Sequence, residues 1–329
     1  MNRNMSVSRF AADLIGPMAR QSLSPHSSGT ILASCSRAIY LRSAGGEVLW
    51  LAPGDVPMHR RGIRVPVGLP GPQPGSAYRV ADGGLRLGGA ASIELGRACV
   101  WEAERPTPAC LASEAEVRSP QNCASGLLSR LPSPAGFGVF LPVLVEYSSG
   151  TPFPGRAPRR DPIIESAHPA ICGIARACRE QDLAALLRHA ECLVGMGEGL
   201  TPSGDDYIGG VLFGLAMLQE AGARLAWHSP RGVASFLEVA ATRTNLISAA
   251  FLADHAAGHA SEVLQRFALA VLMSESPEIA HRAASDLIRL GHSTGWDLLT
   301  GAWTAMTLVP SGAQSARRQA CAPALAAAN

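Results

Sequence analysis

A change of hydrophobic period across a proline-rich break constrains this chain more than any other feature. Upstream of the break, residues 30–150 carry short apolar runs, among them Ile39-Tyr40-Leu41, Val48-Leu49-Trp50-Leu51 and Val139 to Val145, with glycine and proline between them. Such runs read as short strands joined by turns. The segment 151–162 (TPFPGRAPRRDP) packs four prolines, one glycine and three arginines into 12 residues and reads as a linker. Downstream, apolar residues recur at helical spacing, as in Leu183, Leu186, Leu187, Ala190, Leu193 and Val194. Helices are expected over 174–194, 205–220, 233–257, 261–273, 277–290 and 297–308. The second is apolar nearly all round, so it should be buried. The expected fold class is α+β, a β-rich N-terminal domain packed on a mainly helical C-terminal domain. Its parts are an N-terminal extension (1–29), the β-rich domain (30–150), the linker (151–162), a helical domain with a glycine-rich loop (163–310) and a flexible tail (311–329).

Composition narrows the chemistry. All 28 basic residues are arginine. Without lysine there is no Schiff base, which excludes pyridoxal-phosphate and class I aldolase chemistry, and no Walker A loop. A net charge of +2 implies no polyanion-binding surface, hence no nucleic acid. The eight cysteines form no C-x-x-C pair and read as buried thiols in a reducing compartment. Residues 1–20 lack a secretory apolar region, and no apolar run reaches 18 residues. A cytoplasmic protein with no membrane span is the expectation.

Between two expected helices lies Gly195-Met-Gly-Glu-Gly-Leu-Thr-Pro-Ser-Gly-Asp-Asp206. Glycines at 195, 197, 199 and 204 permit positive φ and close approach of a ligand to the backbone. Thr201, Ser203 and Asp205 are each plausible N-caps for the next helix, whose exposed N–H groups would make an anion site. Asp205 and Asp206, with Glu198 nearby, repel a bare phosphate. They therefore complement the helix dipole, recruit a divalent cation such as Mg²⁺ that bridges to the anion, or orient a nucleophile or amide. A tight turn with capping acids is the plain alternative. In the helix itself, Gly210 and Gly214 suit close helix packing.

The loop has an echo 91 residues on. Thr201 to Gly210 aligns without gaps to His292-Ser-Thr-Gly-Trp-Asp-Leu-Leu-Thr-Gly301, matching Ser203 to Thr294, Asp206 to Asp297 and Gly210 to Gly301. Two such helix starts could converge on one ligand, with the N–H groups near Gly204 and Gly295 turned into one pocket; a repeated capping solution is the alternative. Thr242-Arg243-Thr244-Asn245 interrupts an apolar helix, either facing solvent or lining the pocket with Arg243 as an anion fork. His255 and His259 are four apart and could share a metal, though helix-end capping is the better reading. Arg60, Arg61 and Arg64 form either a solvated basic turn or an anion contact. Cys192 reads as core.

The loop motif, running into an apolar helix, resembles the DUF2877 family, which includes the third (AllH-type) subunit of oxamate carbamoyltransferase. The resemblance extends to Ile247-Ser248-Ala249-Ala250-Phe251-Leu252, to Gly291-His292-Ser293-Thr294-Gly295 and, more weakly, to 54–65. Glu198 departs from the family, which more usually has proline there. The resemblance implies a carbamoyltransferase subunit acting on small carboxylates in purine or allantoin catabolism, with oxamate and carbamoyl phosphate giving oxalurate and phosphate. It also implies partner subunits. The Ser-x-Arg-Thr-Arg phosphate loop of the aspartate and ornithine enzymes is absent. On this reading Asp205, Asp206, Ser203 and Arg243 are catalytic. Gly197, Gly199, Thr201, Gly204, Thr244, Ser293, Thr294, Asp297 and Arg61 bind substrate, and no residue is assigned to a metal. The rival readings are a metal-dependent hydrolase using Asp205, Asp206 and Asp297, and a non-catalytic ligand-binding or scaffolding subunit.

Overall fold

The computed structural model describes residues 8–65, 71–88, 91–106, 131–223, 225, 227, 229–273 and 276–310. The chain divides into two compact units. Residues up to Glu104, together with Ala260–Glu262, form one, and Arg105–His259 with the chain from Val263 form the other. The proline-rich segment 151–162 is mostly irregular chain inside the second unit. The expected α+β class is what the chain adopts, with strands concentrated in the first unit and helices in the second.

The first unit is a ten-stranded curled sheet. Its strands are β1 (Ser8–Ala11), β2 (Leu14–Ile15), β3 (Ser28–Ser34), β4 (Ile39–Ser43), β5 (Val48–Pro53), β6 (Gly62–Val65), β7 (Ala77–Ala81), β8 (Gly84–Leu87), β9 (Ala91–Glu94) and β10 (Cys99–Val100), with helix α1 (Pro17–Ser22) following β2. The order across the sheet is β1-β9-β8-β7-β3-β4-β5-β6-β2-β10. Only Ala12 and Asp13 separate β1 from β2, yet β1 pairs with β9 and β2 with β6. The Ala12 N–H donates to Glu94 O and the Asp13 N–H to Arg64 O. Two residues span roughly 7 Å at most, so the two ends of the sheet must meet and the sheet curls closed. Alternation explains β4, where Ile39, Leu41 and Ser43 are buried and Arg42 is exposed, whereas β5 is buried on both faces from Val48 to Ala52. The core of the unit gathers Leu41, Leu49, Leu51, Ile63, Tyr78, Leu85 and Ile93.

The second unit contains α2 (Leu141–Ser148), α3 (Pro162–Glu180), α4 (Leu183–Glu191), α5 (Ser203–Glu220), α6 (Pro230–Ala241), α7 (Leu246–Ala256), α8 (Glu262–Leu272, its first residue grouped with the sheet unit), α9 (Pro277–Leu287) and α10 (Thr294–Leu308). The buried helix expected from the sequence is α5, in which every residue from Gly204 to Leu215 is buried. It crosses α10 at a pair of glycines. A Cβ on Gly210 would lie 2.3 Å from Leu298 O, and one on Gly301 would lie 2.0 Å from Tyr207 O. Only hydrogen fits at either position, so the two backbones touch.

Four expectations are corrected here. Val139 to Val145 is helical, a 3₁₀ turn (Gly136–Phe140) running into α2, because a short apolar run does not distinguish a strand from a buried helix and Pro142 suits a helical first turn. The expected helix 174–194 breaks at Gln181, whose φ of 57° is left-handed, and restarts at Asp182, whose carboxylate accepts the Ala185 N–H. The expected helix 233–257 breaks at Thr242–Asn245, and the Asn245 side chain caps α7 through the Ile247 and Ser248 N–H groups. Nor are all the thiols buried, since Cys35, Cys99 and Cys192 are exposed. The tail expected at 311–329 lies outside the described residues.

Candidate functional site

The site is built where α5 and α10 begin. The loop before α5 is held by Asp205. Its Oδ1 accepts the Gly195 N–H at 2.7 Å, and its Oδ2 accepts the hydroxyls of Thr244 and, at 2.6 Å, Ser248. The Asn245 amide donates to Leu200 O at 2.9 Å. The 242–245 break in the helix thus clamps the loop onto the first turn of α5. Gly195 and Gly197 have φ of 73° and 115°, and a Cβ there would lie 2.7 Å from Arg243 O and 2.8 Å from the Ser203 nitrogen. Other residues would be strained and crowded at both positions. Asp205 accepts three hydrogen bonds, which makes it the organiser of the loop. Among the described residues no group of three or more His, Cys, Asp or Glu side chains is arranged to hold a metal ion.

Asp206 and Asp297 differ from Asp205. They are 5% and 0% exposed, and the Oδ2 of each has no hydrogen-bond partner. The hydroxyls of Thr201 and Thr294 lie 3.1 Å apart, and both favour the charged form of the Asp206 carboxyl. Those of Ser203 and Ser293 lie 3.2 Å apart, and both favour the charged form of Asp297. Asp297 Oδ1 also accepts the Phe137 N–H at 2.5 Å. The backbone of Gly136 comes so near that a Cβ there would lie 2.4 Å from that oxygen. Burial first, then the neighbouring Asp297 charge, holds the Asp206 carboxyl well above the usual carboxylate range, against the pull of the two threonine hydroxyls. Burial pushes Asp297 up to about 7, against the Phe137 N–H and the serine hydroxyls. Both shifts favour the protonated forms of the pair.

The hydroxyls that might have capped the helices face this cluster instead. The N-cap of α5 is Pro202 and that of α10 is Ser293, neither with a side-chain cap bond. The capping expected of Thr201, Ser203 and Asp205 is therefore absent. The N–H groups expected to turn into a shared pocket are also spent, Gly204 on Met196 O at 2.8 Å and Gly295 on Leu290 O at 2.9 Å. What converges is side chains: Thr201, Ser203, Asp206, Ser293, Thr294 and Asp297. Thr244 reaches Asp205 instead, Gly197 and Gly204 shape the turn, and Gly199 has open space around it.

The remaining sequence candidates are engaged elsewhere. The Arg243 guanidinium contacts Glu191 through its carbonyl at 3.3 Å and its carboxylate at 3.6 Å. Arg61 belongs to the sheet unit, where it is buried and donates to Val48 O at 3.2 Å and to Glu47 at 3.3 Å. Arg64 forks onto Asp13. His255 and His259 do not form a metal pair. The first is buried against Phe213 and Phe251, and burial pushes its pKa down to about 4. The second has its Nδ1 2.7 Å from Arg105. Cys192, read as core, is exposed at the end of α4. Gly136 and Phe137, to which the sequence assigned no role, were missed, and so was the clamp made by Ser248.

The helical unit is thus defined by two mirrored helix starts around a buried pair of acids. Residues 193–306, a segment that contains both starts, match the family described as oxamate carbamoyltransferase subunit AllH, the type of subunit that the loop motif resembles. No curated protein and no solved structure matches the chain. No described helix is long and apolar enough to cross a membrane.

Proposed function

We propose that this chain is the AllH-type subunit of a cytoplasmic carbamoyltransferase acting on small carboxylates in purine or allantoin catabolism. In the transfer, the amide nitrogen of oxamate attacks the carbonyl carbon of carbamoyl phosphate. A carbon–nitrogen bond forms, the carbon–oxygen bond to phosphate breaks, and the proton lost by nitrogen ends on phosphate, giving oxalurate. The observation that carries the reading is that the family match spans both halves of the acid and hydroxyl cluster. A buried carboxyl pair that retains a proton can take one from nitrogen in its ionised member and return one to the leaving oxygen from the other. The four hydroxyls supply neutral donors and acceptors for small polar groups. Asp205, with Thr244, Ser248 and the loop glycines, positions this machinery without touching substrate. Partner subunits complete the enzyme.

The test is to assemble the complex with and without this chain and to follow phosphate release from carbamoyl phosphate as a function of oxamate. Oxamate-dependent release that requires the chain is expected. Equal activity without the chain, or release indifferent to oxamate, overturns the reading.

A further inference from the structure

We propose that Asp206 and Asp297 act together as a two-point seat for a primary amide, so that the site selects the amide end of its ligand and rejects a carboxylate in that place. The proposal deepens the carbamoyl-transfer reading and rests on it for the identity of the ligand. Its geometry rests on the mirrored construction of the unit. The contacts of α5 with α10 are reciprocal under the same 91-residue offset that aligns the motifs. Gly210 meets Leu298 O and Ala302 N, while Gly301 meets Tyr207 O and Val211 N. Each helix start is also crowded by the chain end of the helical hairpin before it. A Cβ on Gly204 would lie 2.0 Å from Leu193 O, and one on Gly295 would lie 2.0 Å from Leu287 O. The crossing of α5 with α10 is therefore locally pseudo-twofold. The acids aligned by that offset are the two whose Oδ2 atoms lack partners.

Buried polar atoms in folded proteins are almost always satisfied. Two orphaned carboxyl oxygens, related by pseudo-symmetry and 5% and 0% exposed, mark a place where a ligand supplies the missing bonds. The groups acting on Asp206 are Asp297, Asp205 and the Thr201 and Thr294 hydroxyls, and those acting on Asp297 are the Phe137 N–H and the Ser203 and Ser293 hydroxyls. A carboxyl pair that shares one proton presents one O–H donor and one anionic acceptor. A primary amide presents the complement, a carbonyl acceptor and an N–H donor. A carboxylate presents two acceptors and a second negative charge, leaving one Asp oxygen opposed by like charge in a desolvated site. This differs from a purely electrostatic anion site, in which oxalate would outcompete oxamate.

The experiment is calorimetric titration of the full chain with oxamate, oxamide and oxalate, repeated with Asp206→Asn and Asp297→Asn, each variant checked for cooperative unfolding. Oxamate and oxamide should bind at least about 10-fold more tightly than oxalate, corresponding to about 1.4 kcal/mol. At least one substitution should erase that preference, since Asn at the ionised member replaces the anionic acceptor by a neutral amide. Oxalate binding as tightly as oxamate, a preference unchanged in both variants, or no binding of any probe at millimolar concentration overturns the proposal. The two readings fail separately. Oxamide binding without oxamate turnover in the assembled complex sinks carbamoyl transfer and leaves the amide seat standing. Turnover that oxalate inhibits as well as oxamide does sinks the seat alone.

Discussion

Asp297→Asn should make the protein more stable at alkaline pH. Asp297 is fully buried and its pKa lies at about 7, against an ordinary value of 3.8. At about 1.4 kcal/mol per pH unit, the displacement corresponds to about 4 kcal/mol. The folded state holds this proton more tightly than the unfolded state does. Its contribution is therefore complete below about pH 4 and is lost as the pH rises through about 7. Between about pH 5.5 and about pH 8.5 the wild type should lose about 2 kcal/mol that Asp297→Asn keeps. Asp206 adds to the difference in the same direction, because part of its own displacement comes from the Asp297 charge. The asparagine oxygen can still accept the Phe137 N–H, so the local turn survives. Urea unfolding of both proteins at the two pH values measures the effect. A difference that does not change with pH, or a variant less stable than wild type at the higher pH, would refute the reasoning and make Asp297 an ordinary ionised acceptor.

Other outcomes follow from the same geometry. Asp206→Asn should lower carbamoyl transfer by at least about 100-fold while urea unfolding at neutral pH shows a stability within about 1 kcal/mol of wild type. Its neighbour should behave oppositely. Asp205→Ala strands the Gly195 N–H and the Thr244 and Ser248 hydroxyls, so it should lose about 3 kcal/mol or more by denaturant unfolding. Gly301→Val places side-chain atoms against Tyr207 O and should destabilise by more than about 3 kcal/mol, read from its thermal unfolding.

The class of fold was legible because period is a direct image of burial. Strand β4 alternates, β5 is continuously apolar, and α5 is apolar all round because α10 and the rest of the helical core enclose it. The echo between the two loops was legible for a related reason, since glycine is demanded wherever backbones touch and Gly210 and Gly301 touch opposite helices. What it could not convey was which atoms converge. Helix starts rich in Ser, Thr and Asp predict capping and free N–H groups, but here the side chains turn to one another and the N–H groups of Gly204 and Gly295 are consumed by nearby carbonyls. Adjacent Asp205 and Asp206 look alike in the sequence. On a helix they point about 100° apart, one into the clamp and one into the cluster. The Gly136–Phe137 contribution is set by tertiary packing across some 160 residues, and nothing local announces it.

Transfer of the carbamoyl group itself tests the central claim most directly. The assembled complex would be given carbamoyl phosphate labelled with ¹³C at its carbonyl, together with oxamate, and the label followed by NMR with the wild-type chain and with Asp206→Asn. The account predicts that the label appears in oxalurate with the wild-type chain and that the rate collapses with the variant although the complex still assembles. Label that is only hydrolysed, or that reaches oxalurate equally fast with Asp206→Asn, would contradict it.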